Sequence, residues 1–582
     1  MQIVVQKSRG YQYVSIRESY WDKARKKYTS RTVKNFGRLD VLQKDNPNIL
    51  EELRQQVQEL NQRKESDKEA LIKKRLVEAT EQAALGQNLN GDNRSVMIGA
   101  APLRQIWNSL QLNRKLRDIQ SKGRTKYNLS EVIFYLVAAR SLMPDSKLAQ
   151  WERRNSFLYG SSRLRLNHLY RALDQLIAHK DELMPFLNRQ IAKQYQRSVS
   201  IALYDVTTYW FESQDADTLR DFGFSKDNKV NQVQVVMGLL IDQNGIPIDY
   251  ELFPGNTNEF GTMIPILKKL KEQYNIDKVI VTADRGLNSG ANLQQIIDLG
   301  MEYVIAYRLR NGGQKILDLI KATNGWTYRN DTTLCNDVSK YRISTEDRNV
   351  TIIDEETGKR TRKTLTSNLL INFSAKRKRK DKRDRERLIE KAKKYAEKPT
   401  MLKSDLRRGG KSYLKIDSEN MTAELDEERI KASEKFDGYY GISFSNPNRT
   451  AEEILAIHHS LWQIEESFRI SKSLLRARPC FHWIERRVKA HFLICYLALV
   501  IHRLLEKTLS DAGVENLTAE RIVDALSEAE LIEVLMPEGQ AVYAKVRSNG
   551  DFESICQAVG LGVLPRLSKA SDVKRALKVK EL

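Results

Sequence analysis

Only four cysteines occur in 582 residues, at positions 335, 480, 495 and 556, and no two stand at a short paired spacing. That scarcity excludes a disulfide framework and a cysteine-based zinc knuckle, and it fits a reducing, intracellular compartment. Long apolar runs are missing too. The longest, Phe492 to Ile501, has ten residues, against the roughly 20 that span a bilayer. The opening MQIVVQKSRG lacks a signal-peptide core, so the expectation is a soluble, cytoplasmic chain with no membrane partner. Acidic residues are outnumbered: 75 Asp and Glu face 97 Lys and Arg, a net charge of +22 with a pI near 9.5. An excess of that size over this length favours a polyanionic partner, nucleic acid first. At roughly 150 residues per domain the chain is long enough for several cores, which makes a small single-core binding module a poor fit.

The pattern changes several times along the chain. Residues 1–38 read as a basic β-rich unit, with YQYVSIRE as one strand, a charged turn at DKARKK and a second strand near Tyr28 to Val33. Its ten Lys and Arg against Glu18 and Asp22 are interleaved with Tyr11, Tyr13, Tyr20 and Trp21, a composition that suits phosphate contact plus base or sugar packing. Residues 46–88 form a predicted helical arm, with Leu50, Leu53, Val57 and Leu60 on one stripe, and NLNGDNRS punctuates its end. Residues 95–196 are again helical and are expected to bind DNA. A break at Met143-Pro144-Asp145-Ser146 could mark a helix-turn-helix or a packing corner.

Between 199 and 307 strands and helices alternate in the order βββαβαβ, with the Asn-Gly step of Asp242-Gln243-Asn244-Gly245 as a hairpin signal. Residues 308–446 read as a basic β-containing insertion. Within it Ala375 to Lys411 carries 17 basic and 6 acidic residues, half of the chain's whole excess and a candidate polyanion-facing element. Residues 447–507 return to helix, and 508–582 read as a helical C-terminal region without a chemical motif.

Asp205 directly follows the first strand of the alternating segment, in IALYDVTTYW, and Asp284 directly follows the fourth, in KVIVTADRGLNS. Either alone is more often a turn former or helix cap than a catalyst. In a βββαβ sheet, however, the first and fourth strands are neighbours, so both carboxylates emerge side by side. They repel unless a cation neutralises them, and hard oxygen ligands suit Mg²⁺ or Mn²⁺. A third acidic ligand is available in AIHHSLWQIEESFRISKSLLRARP. At 100° per residue, Arg469 lies about 40° and Lys472 about 20° from Glu465, so one helical stripe carries a carboxylate and two cations. A surface salt-bridge ladder is the plainer reading of that stripe taken by itself. His458, His459, His482, His491 and His502 cluster in this region, but no HExxH or cysteine pair accompanies them, and none is assigned as a ligand.

These residues together resemble the DDE transposases of bacterial insertion sequences, specifically the superfamily with a Y-x2-R-x3-E-x6-K signature and a β-rich insertion before the glutamate. The likeness rests on D-x-T-T at Asp205 to Thr208, A-D-R-G around Asp284, G-I-P-I-x-Y-x-x-F-x-G-N at Gly245 to Asn256, and the spacing of Glu465 and Lys472. His458 stands where the signature has Tyr, and Leu461 stands where it has Arg; a leucine cannot replace a guanidinium. The resemblance implies an α/β fold with an RNase H-like catalytic core, its second part at 447–507, and mostly helical N- and C-terminal regions. It implies Asp205, Asp284 and Glu465 as catalytic residues and as ligands of two Mg²⁺ ions, with Mn²⁺ as a substitute. Lys472, Arg469 and Trp462 become the expected DNA contacts, Trp462 by stacking on an unpaired base. The implied partners are double-stranded DNA, both element ends and target, and a second copy of the chain in a homodimeric synaptic complex; the protein would be nucleoid-associated when DNA-bound. The rival readings are a structure-selective RNase H-like nuclease and a non-catalytic DNA-binding descendant of a transposase.

Overall fold

A computed structural model of the chain describes residues 1–8, 10–22, 27–84, 93–223, 231–258, 261–274, 276, 279–329, 339–353, 360–397, 412–417, 422–535 and 541–579. Most of DKARKK, most of NLNGDNRS and the 398–411 end of the basic stretch lie outside these residues. The chain divides into two compact units: residues 1–98 with 528–549 and 562–582, and residues 99–527 with 550–561.

In the first unit, β1 (Gln2–Ser8), β2 (Tyr11–Asp22) and β3 (Lys27–Arg38) form an antiparallel meander. Its apolar face places Val14 against Leu39 and Leu53, the latter from the 36-residue helix Ile49–Ala84. Of the predicted stripe Leu53 and Val57 are buried and Leu50 is half-buried, whereas Leu60 is exposed, and β1 adds a strand to the two that the alternation marked. β4 (Asn93–Met97) closes this first stretch of the unit.

The second unit begins with six helices between Ala100 and Tyr195. Leu129–Leu142 has thirteen of its fourteen residues buried, because it is apolar on every face and packs against Leu166–Ala178 and the long helix Glu485–Asp511. The corner at Pro144 leads into the six-residue helix Lys147–Glu152, where Lys147 and Gln150 are buried and the Gln150 carbonyl accepts a hydrogen bond from the Tyr135 hydroxyl. The corner is therefore a packed element. Glu485–Asp511 is long and apolar enough to cross a membrane by length and composition, which the ten-residue run did not reveal, yet 94% of its apolar window is buried inside the protein.

A nine-stranded mixed sheet follows, built from β5 (Ile201–Trp210), β6 (Gln234–Asp242), β7 (Pro247–Pro254), β8 (Ile280–Ala283), β9 (Glu302–Tyr307), β10 (Thr327–Arg329), β11 (Ser339–Ile353) and β12 (Arg360–Ser374). The small hairpin of β13 (Leu414–Asp417) and β14 (Thr422–Leu425) lies apart, and β15 (Tyr439–Phe444) completes the large sheet in the order β10-β11-β12-β15-β9-β8-β5-β6-β7. The expected βββαβαβ run is present, and β5 pairs in parallel with β8. At the Asn-Gly turn, Gly245 takes φ +77°, and a Cβ there would meet the Arg503 guanidinium at 2.0 Å. The insertion extends the same sheet, since β15 pairs with β9 and β12 with β15. Its basic helix Ala375–Glu397 is amphipathic: Ala392 packs with Tyr413 and Leu414, and Arg385 is buried in an ion pair with Asp437.

The reading of 508–582 as helical needs correction. β16 (Glu530–Leu535), β17 (Ala541–Arg547) and β18 (Leu567–Lys569) join β4 in a four-stranded antiparallel sheet that belongs to the first unit. Glu530 pairs with Met97, so the decisive partner strand lies more than 400 residues away in sequence. Local periodicity carries no trace of such a pairing, and short apolar runs fit either helix or strand. The two ends of the chain are accordingly mixed α and β rather than mostly helical.

Candidate active site

Alternation along β5 places Asp205, Thr207 and Tyr209 on one face, with Tyr204 and Val206 on the other. Tyr204 is fully buried beside Gly238 of β6, where a Cβ would meet its hydroxyl at 2.2 Å, so this glycine makes the room that lets β5 lie flat just before Asp205. Parallel register pairs Tyr204 with Ala283, and the next residue on each strand path is an aspartate. Asp284 directly follows β8 as expected, but Asp205 does not follow its strand, because pairing with β6 carries β5 on to Trp210. Asp205 is half-buried, and its carboxylate accepts the Val206 N–H at 2.7 Å. Asp284 is exposed and opens the short 3-10 turn Arg285–Leu287.

Glu465 lies on the helix Trp462–Arg469, which packs on β5 through a buried face of Ile464, Ser467 and Phe468 and leaves Glu465 exposed. The helix does not continue as an α-helix to Lys472. A π-helical turn spans Ile470–Leu474, closed by the Leu475 N–H on the Ile470 carbonyl at 2.9 Å. The wider turn alters the phase after Arg469, so the expected stripe of Glu465, Arg469 and Lys472 is broken there. Lys472 Nζ sits 5.5 Å from the centre of the Tyr209 ring. Arg469 is engaged by Glu466 and by Glu520, with its Nε 2.8 Å from the Glu466 carboxylate. Trp462 is 53% exposed at the start of the same helix.

Further residues emerged only in three dimensions. The Tyr209 hydroxyl and Ser471 Oγ are 2.9 Å apart, tying the strand of Asp205 to the π-helical turn beyond Glu465, and the Tyr209 ring meets Phe492 edge-on. Burial pushes the Tyr209 phenol up, with the Ser471 hydrogen bond opposing, so it stays protonated. Alternation could have flagged Tyr209 as sharing a face with Asp205. Arg478 lies over the Trp210 ring at 5.6 Å. His458, at the signature's tyrosine position, is close enough to feel Asp284: burial pushes its imidazole below the usual value, and the aspartate charge opposes this.

The donor set suits a hard divalent cation, since all three candidates are carboxylates and no ion pair claims Asp284 or Glu465 among the described residues. Parallel register makes neighbours of Asp205 and Asp284. Among the described residues, however, no three His, Cys, Asp or Glu side chains gather closely enough to hold a metal, so Glu465 shares the strand's neighbourhood without completing a ligand cluster.

Residues 202–501 match the family described as transposase DDE domain, and residues 1–71 match the N-terminal domain of IS1634 family transposases. No curated protein matches the chain. Among solved structures, a cryo-EM structure of the piggyBac transposase synaptic complex with hairpin DNA is similar at 9% identity and a TM-score of 0.34, over 74% of this chain and 78% of that one.

Proposed function

The chain belongs to the transposase DDE domain family and is a DNA transposase, and from that premise we propose that it cuts the ends of its insertion sequence by metal-dependent hydrolysis and transfers the freed 3′-hydroxyls into target DNA. The observation that supports this reading is the parallel register of β5 and β8, whose last pair, Tyr204 with Ala283, stands one residue before each aspartate. The strand order β7-β6-β5-β8-β9 supports an RNase H-like core.

In the proposed mechanism Asp205, Asp284 and Glu465 would hold two Mg²⁺ ions, or Mn²⁺ in their place, once Glu465 closes on the two aspartates from its position in this structure. When bound, such ions supply Lewis-acid stabilisation of the attacking and leaving oxygens at phosphorus. The Val206 N–H orients the Asp205 carboxylate. Tyr209 and Ser471 hold the turn after the glutamate helix against β5, which fixes where Glu465 stands relative to that strand. Lys472 and Arg469 are the proposed phosphate contacts, Arg469 exchanging a carboxylate partner for DNA, and Trp462 presents an indole for an unpaired base. Joining two ends calls for a homodimeric synaptic complex. No covalent protein nucleophile is needed.

The test is cleavage and joining of labelled DNA from the flanks of the gene, with Mg²⁺ or Mn²⁺, for wild type and for Asp205→Ala, Asp284→Ala and Glu465→Ala. Nicks and joined products that all three variants lose are the expected result. Cutting without joining would favour the nuclease, and binding without any metal-dependent product would favour the non-catalytic descendant, for which Leu461 is the supporting residue.

A further inference from the structure

We propose that a cationic groove on the helical region of the larger unit is a seat for the phosphate backbone of duplex DNA, a proposal that rests on the protein being a DNA transposase. The groove, about 770 Å³, gathers Arg124, Lys126, Arg163, Arg165, Arg171 and Arg486. They come from three separate parts of the chain: the connection before the helix Leu129–Leu142, the approach to and outer face of the helix Leu166–Ala178, and the first turn of Glu485–Asp511. A second depression of about 550 Å³ continues from it across the shared Thr125 and Lys126 to Arg117, so the feature is an elongated strip rather than a closed pocket.

Two observations point to an external anion. The groove has one acidic residue in its lining, Asp174, and that carboxylate is already taken by Arg486 Nε at 3.0 Å and Arg487 Nη2 at 3.3 Å. Among the described residues no carboxylate lies within ion-pair distance of Arg124, Lys126, Arg163, Arg165 or Arg171, and all five are exposed. Like charges brought together without acidic partners repel one another, and packing does not require their side chains, because the buried face of Leu166–Ala178 is Leu169, Ala172, Leu173 and Leu176. A polymer of evenly spaced phosphates relieves that repulsion along the whole strip, whereas a single small anion neutralises only one end. Cations drawn from two connections and from the surfaces of two different helices form a charged strip rather than one element presenting side chains to base edges, which fits backbone contact without sequence reading.

The test uses the full chain and two fluorescent duplexes of equal length, one from the element end and one unrelated, titrated between 50 and 200 mM salt. The variant Arg163→Ala/Arg165→Ala/Arg171→Ala should bind both duplexes about 10- to 100-fold more weakly, with the slope of log affinity against log salt reduced by about 0.9 per lost contact. A charge-matched control, Arg189→Ala/Lys193→Ala/Lys268→Ala on exposed positions elsewhere in the unit, should change binding far less. The triple Arg→Lys variant should restore most of the affinity and decides the matter if the alanine variant folds poorly. Equal losses in variant and control would overturn the proposal, as would an unchanged slope or a loss confined to element-end DNA. Metal-dependent cleavage by the wild type is scored separately: binding without cleavage sinks the catalytic reading and leaves the groove standing.

Discussion

The acid-bearing edge of the sheet and the cationic groove lie in the same unit but are encoded in opposite ways. Asp205 lies inside β5 and Asp284 directly after β8, each one residue beyond the last pair of the parallel β5–β8 register, so local periodicity and a single topological rule go far toward placing them. The groove draws on residues 124 to 171 and on Arg486, more than 300 positions later, and depends on the long helix docking against Leu166–Ala178. The proposed reactive aspartates follow the strand pattern, while the proposed binding surface follows tertiary packing. Substitutions at the first should therefore remove chemistry and spare binding, and substitutions at the second should do the reverse.

The sharpest way to break that contrast is Asp284→Asn. An exposed turn position with no ion pair among the described residues should tolerate the change, so the melting temperature and duplex affinity should stay within error of wild type. Cleavage should fall by about 10³-fold or more, because the neutral amide is a much weaker ligand than the carboxylate for the divalent cation that the proposed chemistry would use. Coincident loss of folding would make Asp284 a structural cap and dissolve the distinction.

A smaller effect is expected at the tie between strand and turn. Tyr209→Phe leaves Ser471 without its 2.9 Å partner in a buried setting, which costs about 1–3 kcal/mol. If the tie positions Glu465, the loss should appear mainly in the cleavage rate at saturating DNA, with Ser471→Ala giving a similar loss and the double variant no more than either alone. Additive losses, or a fall in melting temperature with full cleavage, would assign the pair to stability only.

What was legible in the sequence divides along the same line. Period-two alternation and the Asn-Gly turn led to β5, β6, β7 and β8 and to their neighbours in the sheet, although β5, expected to end at Tyr204, runs on past Asp205 to Trp210. The π-helical turn at Ile470–Leu474 was not legible, since an ideal helical phase carries Glu465 straight through to Lys472. Nor were β16 to β18, whose pairing with β4 spans most of the chain. The break at Pro144 was visible as a corner, but its role turned on burial: Arg140 donates to the carbonyls of Asp145 and Arg476, and Lys147 Nζ donates to Gln150 Oε1 at 3.2 Å.

These buried cations supply the mildest test, because they set the interior of the helical region against its cationic exterior. Burial, with Arg140 close by, pulls the Lys147 amine down to about 7 from an ordinary value near 10.5. Below pH 7 both the folded and the unfolded chain carry this proton, and the folded state bears the full penalty of a buried charge. Between about 7 and 10.5 the unfolded chain binds the proton and the folded chain releases it, so stability rises with pH across that window. Lys147→Met removes the titrating group while keeping most of the volume. The variant should melt about 2–4 °C higher than wild type near pH 7, a gain that shrinks toward pH 10, and its duplex affinity and salt slope should match wild type. An altered salt slope would mean that the interior cations also address DNA, and the separation of a holding interior from a binding exterior would fail.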